Sequence, residues 1–147
     1  MQRILAGLLL VSGLLLLGAG CATVRPPSSA PVAERTMLTT GYCPCRLCCG
    51  WRRNWLGRPV YVSGPLAGQH KDVGMTASGT KAQKGTIAAD TTRYPFGTIL
   101  YIPGYGCGRV EDRGADIKGD HIDLFFETHR EAMAWGRRYL PVRIWLR

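Results

Sequence analysis

The stretch RVEDRGADIKGDHIDLFFET, residues 109–128, holds six of the ten acidic residues of a chain whose formal net charge is +9. Its two ends read as short strands, and glycines divide the middle into turns. The carboxylates fit three interpretations: a calcium loop, a solvated acidic turn, or general acid and base groups. The calcium interpretation fails because Arg, Lys and His interrupt the ligand positions that an EF-hand loop requires.

The surrounding sequence predicts a mainly β domain with one short helix. Apolar runs bounded by Gly and Pro recur about every ten residues, which is typical of a small barrel or sandwich. Thr128 and Glu131 form a predicted capping box that begins the helix. Ala132, Met133 and Trp135 are expected on or near one face of it. The predicted strand segments are RTMLTTGY, GMTASGT, GTIAADT, GTILYIPG, GCGRVED, HIDLFFE and LPVRIWLR.

The N-terminal residues predict export rather than a folded element. Residues 1–20 read as a signal peptide, with Arg3 followed by an apolar run and small residues. LGAGC resembles a bacterial lipobox, which implies that Cys21 is lipidated. Plain secretion and an uncleaved anchor remain alternatives. Residues 21–35, rich in Pro, Ser and Ala, read as a flexible tether, and residues 36–147 as the domain.

The excess of basic residues predicts an anionic partner. Export argues against nucleic acid. It leaves the membrane surface, reached through the lipid anchor, and the carboxylates of the cell wall. We expect a monomer in the cell envelope or a secreted protein; Ala22 after the lipid site fits the periplasmic face of the outer membrane in a diderm host.

Five cysteines lie in the predicted domain, and outside the cytoplasm disulfides are their usual fate. An odd number leaves at least one thiol unpaired. The cluster CPCRLCC offers thiolates for a metal but lacks the paired Cys-x-x-Cys units of a zinc ribbon. We therefore predict one or two disulfides that pin a loop, and neither a metal nor a cofactor. The disulfide candidates are Cys43, Cys45, Cys48, Cys49 and Cys107.

Three aspartates are linked to predicted strands. Asp90 and Asp112 each end a strand, and Asp123 lies inside the apolar run HIDLFF, where a carboxylate loses solvation unless it has a partner or a task. We expect these three side chains to converge. Asp116 and Asp120 are expected to serve the turns of the segment DRGADIKGD, between Asp112 and Asp123.

From about Gly74 to its C-terminus the chain resembles the three-aspartate (3D) domain. That domain is shared by the membrane-bound lytic transglycosylase A family and by stationary-phase survival and resuscitation-linked peptidoglycan enzymes. The resemblance is carried by TASGT, by GTIAAD, by PFGT, by DRGADIKG and by HIDLFF, with aspartates 22 and 11 residues apart. The family commonly has two glycines after the Asp-x position, where this chain has Gly114, Ala115 and Asp116. The match divides the domain into a Cys-rich strand and loop, residues 36–73, and a core, residues 74–147.

The resemblance implies a six-stranded double-ψ β-barrel that cleaves the MurNAc–GlcNAc β-1,4 bond of peptidoglycan without water, giving 1,6-anhydroMurNAc. By similarity Asp123 is the acid/base, and Asp112 and Asp90 assist. Such an acid must keep its proton, and we expect burial against Ile122, Leu124 and Phe125 to raise its pKa. A non-catalytic wall-binding or wall-loosening lipoprotein is the alternative.

Residues near the aspartates are candidates for binding the glycan strand. Hydroxyl groups of the TASG segment suit sugar hydroxyls or a turn, and Lys118 suits substrate carboxylates or a turn. Trp51 and Trp55 would either stack on sugar rings or, as we slightly prefer, cover a small core. The substrate-binding candidates are Thr76, Ser78, Gly114, Lys118 and Trp51.

Overall fold

Eight strands and two short helices make up residues 24–147, the part of the chain that the computed structural model describes. In chain order they are β1 (Ala33–Tyr42), α1 (Arg46–Cys49), β2 (Trp51–Arg53), β3 (Pro59–Tyr61), β4 (Thr86–Ala88), β5 (Ile99–Ile102), β6 (Gly106–Asp112), β7 (His121–Phe125), α2 (His129–Trp135) and β8 (Arg138–Trp145). None of the helices in this range is long and apolar enough to cross a membrane. The predicted signal peptide and the lipidation site at Cys21 lie outside these residues.

Six of the strands close into a barrel in the order β1-β7-β4-β6-β5-β8. β1 pairs with β7, and β4 with β6, in parallel, and the remaining neighbours are antiparallel. β2 and β3 form a separate hairpin between β1 and β4. The predicted six-stranded, mainly β barrel is confirmed.

One predicted strand is wrong. GMTASGT forms a turn, with a single bridge between Met75 and Lys81. Gly74 and Gly79 both have a φ of 84°, a left-handed conformation that interrupts an extended strand. The turn is closed by a hydrogen bond from the Thr76 backbone N–H to the Thr80 carbonyl oxygen, 2.8 Å long.

The barrel interior is filled by the alternate side chains of its strands. Ile87, Leu100, Val110, Ile122 and Leu124 are all fully buried. Burying one such aliphatic side chain contributes about 1.5–3 kcal/mol. The inside of the barrel is therefore a packed apolar core.

Helix α2 packs against β1 through one face. The predicted capping box is present, since the Thr128 side chain and the Glu131 side chain each accept a backbone N–H of the other residue. Ala132 and Trp135 are buried, as residues three apart on a helix share a face. The prediction for Met133 is wrong: it is 66% exposed, because one residue further along turns the side chain by about 100°.

The segment before β1 lies along β8. The Trp145 indole N–H donates to the Ser29 carbonyl oxygen at 2.8 Å, and the Val32 N–H donates to the Ile144 carbonyl oxygen at 2.8 Å. β1 itself begins at Ala33, three residues before the predicted start of the domain. The last residues of the predicted tether thus belong to the barrel wall.

Candidate active site

A lateral row of paired residues crosses four neighbouring strands of the barrel. Thr40 of β1 pairs with Asp123 of β7, Asp123 pairs with Ala88 of β4, and Ala88 pairs with Asp112 of β6. Side chains paired in this way point to the same face of a sheet. The two aspartates therefore flank a small residue, with their Cα atoms two strand spacings, roughly 9–10 Å, apart.

A bulge sets this row. Ile87 pairs with Val110, but the next pair is Ala88 with Asp112, so that Glu111 is the extra residue of β6. A bulge redirects the side chains that follow it. Here it brings Asp112, rather than Glu111, opposite Ala88.

The row lies on the outer face of the barrel. Ile122 and Leu124 are fully buried in the interior, so strand alternation turns Asp123 outward. Our expectation that Ile122 and Leu124 surround this carboxyl is therefore wrong. A second apolar cluster, made of Tyr42, Phe125 and the central alanine of the row, lies on that outer side.

Asp123 is held by one hydroxyl. Thr40 Oγ1 donates to Asp123 Oδ1 at 2.8 Å. The Thr40 oxygen also lies 3.0 Å from His121 Nε2, a distance that suits an imidazole N–H donating to the threonine hydroxyl. Burial raises the pKa of Asp123, and the charge of Asp112 raises it further. The bond from Thr40 and the nearby His121 act in the opposite direction, but burial prevails. Asp123 is thus an acid that retains its proton to higher pH than usual.

Asp112 accepts hydrogen bonds from three directions. The backbone N–H groups of Ala77 and Arg113 donate to its Oδ1 at 3.0 and 2.9 Å, and the Tyr42 hydroxyl donates to Oδ2 at 3.3 Å. Burial and then the charge of Asp112 hold the pKa of Tyr42 far above its usual range. The phenol therefore stays protonated and acts as a donor, and the carboxylate keeps one orientation.

Both carboxyl groups open into one cleft of about 550 Å³. Two of the five substrate-binding candidates, Thr76 and Gly114, line it, and so do two cations that the sequence did not single out, Lys71 and Arg113. Ser78 is exposed, and its Oγ lies 3.1 Å from Thr76 Oγ1. The cleft therefore presents hydroxyl groups and positive charge around a pair of aspartates.

Asp90 does not line this cleft, although we predicted that it assists catalysis. Its Oδ1 accepts the Thr92 hydroxyl at 2.7 Å and the Thr92 N–H at 3.1 Å, and its Oδ2 accepts the Gly119 N–H at 2.9 Å. These bonds lower the pKa of Asp90 to about 2. The geometry makes Asp90 a positioning residue, since it ties the end of β4 to the loop that joins Asp112 to β7.

Two other binding candidates also lie outside the cleft. Lys118 is exposed, and its charge acts on Asp90, whose pKa it helps to lower. The Trp51 indole N–H donates to the Pro44 carbonyl oxygen at 3.0 Å and braces the loop before it. Trp55 is 90% exposed between β2 and β3, so the preferred interpretation that it covers a core is wrong.

Of the two aspartates between β6 and β7, Asp120 has a structural role in the loop, as expected. Asp120 accepts the Tyr94 hydroxyl and pairs with Arg93, whose guanidinium nitrogen lies 3.3 Å away. Asp116 is exposed. Neither lines the cleft, so the acidic stretch divides into two cleft carboxylates and a structured turn.

The cysteines are all free thiols in the described chain, contrary to the prediction of one or two disulfides. The Sγ atoms of Cys43, Cys45 and Cys48 gather around the Nδ1 atom of His129, an arrangement able to hold a metal ion. The prediction of no metal stays a prediction, and this cluster is the feature that argues against it. Of the other two cysteines, Cys49 donates to the Cys43 carbonyl oxygen at 3.2 Å, and Cys107 lies in β6.

Besides the two cations of the cleft, the sequence interpretation missed two residues that hydrogen-bond to the aspartates and the histidine of the thiol cluster. Thr40 and Tyr42 lie on β1, whose parallel pairing with β7 places them beside the Asp123 strand. His129 had been assigned only to a helix. The alternation along TTGY indicates that Thr40 and Tyr42 share one face of β1, but it does not indicate which strand pairs with β1.

Part of this chain is similar in sequence to a known family and to curated proteins. Residues 85–146 match the model of the family described as 3D domain, a range that includes all three predicted aspartates. Among curated proteins of Bacillus subtilis (strain 168), the cell wall-binding protein YocH is 35% identical over 75 residues, and the putative cell wall shaping protein YabE is 33% identical over 75. Each match covers 48% of this chain, but only 26% of YocH and 18% of YabE.

Solved structures of MltA from Escherichia coli are also similar. One was reported to reveal a unique lytic transglycosylase fold; it is 23% identical with a TM-score of 0.41, over 50% of this chain and 28% of that one. A second, with bound chitohexaose, is 21% identical with a TM-score of 0.41, over 47% and 26% of the two chains. The recognition made from the aspartate motifs is confirmed, since residues 85–146 match the 3D domain model.

Proposed function

We propose that this protein is a peptidoglycan lytic transglycosylase in which Asp123 is the general acid and base. The observation that carries the proposal is the pair Asp123 and Asp112 on the outer face of the barrel, at the floor of an open cleft. The two groups differ in environment, because one is desolvated and the other accepts three hydrogen bonds. Two carboxyl groups in such different environments suit different roles, one as the acid and the other as a partner that stabilises charge.

The reaction needs one proton carrier. Protonated Asp123 gives its proton to the glycosidic oxygen, and the bond between that oxygen and C1 of MurNAc breaks. The resulting carboxylate takes the proton of the C6 hydroxyl of the same MurNAc, and that oxygen bonds to C1. The products are a free GlcNAc 4-hydroxyl and a 1,6-anhydroMurNAc end, and Asp123 is again protonated. Because the substrate supplies the nucleophile, no second carboxylate has to attack or to activate water.

The neighbouring groups fit supporting roles in this scheme. The Asp112 carboxylate, held by Tyr42 and two backbone N–H groups, is placed to stabilise positive charge at C1 in the transition state. Thr40 fixes one oxygen of Asp123, which keeps the acid in a single orientation. Lys71 and Arg113 line the cleft and suit the carboxylates of the lactyl group and peptide stems.

The relatives support a role at the cell wall. The names of YocH and YabE describe wall binding and wall shaping, and each matches about half of this chain. We therefore place the protein in the cell envelope with glycan strands as its partner. Anchoring through a lipid on Cys21, location at the outer membrane and a monomeric state are further parts of the proposal.

The test is digestion of purified peptidoglycan followed by mass spectrometry of the fragments. The wild-type protein should release anhydro-muropeptides. Asp123→Asn should lower the rate about 10²–10⁴-fold, because the proton carrier is lost. Asp116→Asn, a matched change at an exposed turn residue outside the cleft, should retain the wild-type rate. Reducing ends in place of anhydro ends, or an unchanged rate in Asp123→Asn, would contradict the proposal.

A wall-binding module without catalysis is the second candidate, because the name of YocH describes binding alone. It predicts that the protein sediments with insoluble peptidoglycan and releases no fragments. Under this alternative Asp123→Asn would bind as well as the wild type. Sedimentation and fragment analysis on the same samples separate the two functions.

A further inference from the structure

We propose that one zinc ion is bound beside the cleft by four side chains: Cys43, Cys45, Cys48 and His129. These side chains come from two distant parts of the sequence, and their ligand atoms all lie within 4.8 Å of one another. The site is independent of the carboxylates to which the proposed function assigns the reaction. It also accounts for the odd number of cysteines, because three bind the ion and two do not.

The distances match a tetrahedral ion. From Nδ1 of His129 the three sulfur atoms lie 3.4, 3.5 and 3.9 Å away, for Cys48, Cys45 and Cys43 respectively. The Sγ atoms of Cys43 and Cys48 are 3.7 Å apart. With Zn–S near 2.3 Å and Zn–N near 2.05 Å, tetrahedral angles require about 3.6 Å between nitrogen and sulfur and about 3.8 Å between sulfurs. Four of the six distances between ligand atoms therefore agree with tetrahedral coordination, and the other two, from Cys45 Sγ to the sulfurs of Cys43 and Cys48, are within 4.8 Å.

The fold explains why these residues meet. β1 and β7 run in parallel and end together, since Tyr42 pairs with Phe125. The residue after β1 is Cys43, and the residues after β7 lead within one turn to His129, the first residue of α2. The ends of two parallel strands therefore bring the Cys-rich loop and the start of the helix to the same place.

The donor set points to zinc. Three thiolates and one imidazole in tetrahedral positions form a closed Cys₃His site, which is typical of structural zinc. Oxygen-seeking ions such as Ca²⁺ and Mg²⁺ are disfavoured by sulfur ligands. The Cys48 backbone N–H points at Cys45 Sγ at 3.4 Å, the kind of N–H···S contact that supports a ligating thiolate.

The ion would stabilise one wall of the cleft. Pro44, Cys48 and Cys49 line the cleft together with Asp112 and Asp123, so the loop that holds the ligands is also part of the proposed active site. α1 is a single turn of four residues without a buried side chain, too little to keep that wall in place alone. A metal cross-link from this loop to α2 supplies the missing constraint.

The test measures metal rather than activity. The full chain, purified under reducing conditions and dialysed without chelator, is analysed by mass spectrometry of its elements. We expect about one zinc per chain, less than about a tenth of that in Cys45→Ser and His129→Ala, and the wild-type amount in Cys49→Ser and Cys107→Ser. Cys49→Ser is the matched control, since it changes a neighbouring thiol that is not a ligand.

A second variant covers the case in which a ligand change unfolds the protein. His129→Cys should restore a four-thiolate site, keep about one metal per chain and, with Co²⁺ in place of zinc, change the visible absorption. The proposal is overturned if wild-type protein carries no stoichiometric zinc. It is also overturned if another metal occupies the site, if the three ligand cysteines are found as disulfides, or if Cys49→Ser loses as much metal as Cys45→Ser.

Discussion

Replacing Thr39 with valine tests how helix α2 is held on the barrel. Thr39 is fully buried; its hydroxyl accepts the Trp135 indole N–H at 3.1 Å and donates to the Arg138 carbonyl oxygen at 3.1 Å. Valine has the same shape but no hydroxyl, so the buried indole N–H loses its partner. An orphaned buried donor costs about 1–3 kcal/mol and the second lost bond about 0.5–1.5 kcal/mol. We expect Thr39→Val to lower the free energy of unfolding by about 2–4 kcal/mol.

Equilibrium unfolding in urea and thermal denaturation measure this loss. For a domain of this size, about 3–4 °C of Tm correspond to 1 kcal/mol, so Tm should fall by roughly 6–16 °C. Thr39→Ser is the matched control: it keeps both hydrogen bonds and removes one methyl group, at about 0.5–1.5 kcal/mol. If the valine variant is as stable as the serine variant, the hydroxyl does not hold the helix and the reasoning is refuted.

Three further changes test the carboxylates and the packing of α2. Asp90→Asn should lower the stability at neutral pH, as measured by urea unfolding. Because folding lowers the pKa of Asp90 from 3.8 to about 2, the difference in stability between the variant and the wild type should vanish as pH falls from about 4 to 2. Asp123→Asn should raise the stability at pH 7 and leave it unchanged near pH 3. The pKa of Asp123 is raised on folding, so its contribution is complete below about 3.9 and is lost as pH rises; equal stabilities at pH 7 would contradict this. Gly41→Ala should destabilise by about 1–3 kcal/mol in thermal denaturation, since its Cβ would lie 2.9 Å from the Ala132 carbonyl oxygen and 3.0 Å from the Phe126 ring.

The barrel could be predicted because its signals are local. Glycine-bounded apolar runs located all six barrel strands, and the Thr128 and Glu131 pair located the start of α2. GMTASGT failed because two glycines with positive φ outweigh its β-prone composition. Short segments of this kind depend on backbone angles that periodicity does not report.

The site could be predicted only in part, because it depends on which strands become neighbours. Asp112 and Asp123 converge as expected, whereas Asp90 follows a strand of the same barrel and turns to Gly119 instead. Period-two alternation, applied strictly, would have placed Asp123 opposite to Ile122 and Leu124. The thiol cluster needed His129, which is 81 residues from Cys48, and nothing in the spacing of CPCRLCC indicates it.

The bulge between β4 and β6 determines which carboxyl group of β6 lies beside Asp123. Deleting Glu111 would let the two strands pair without interruption, and the apolar interior would be conserved up to that point. Asp112 would then directly follow Val110 and would take the position opposite Ala88 in the regular register. A homologue that lacks this single residue should therefore form the same barrel and still present an aspartate beside Asp123. If the bulge were lost but Glu111 kept, a glutamate would take that place and Asp112 would turn to the opposite face of the sheet.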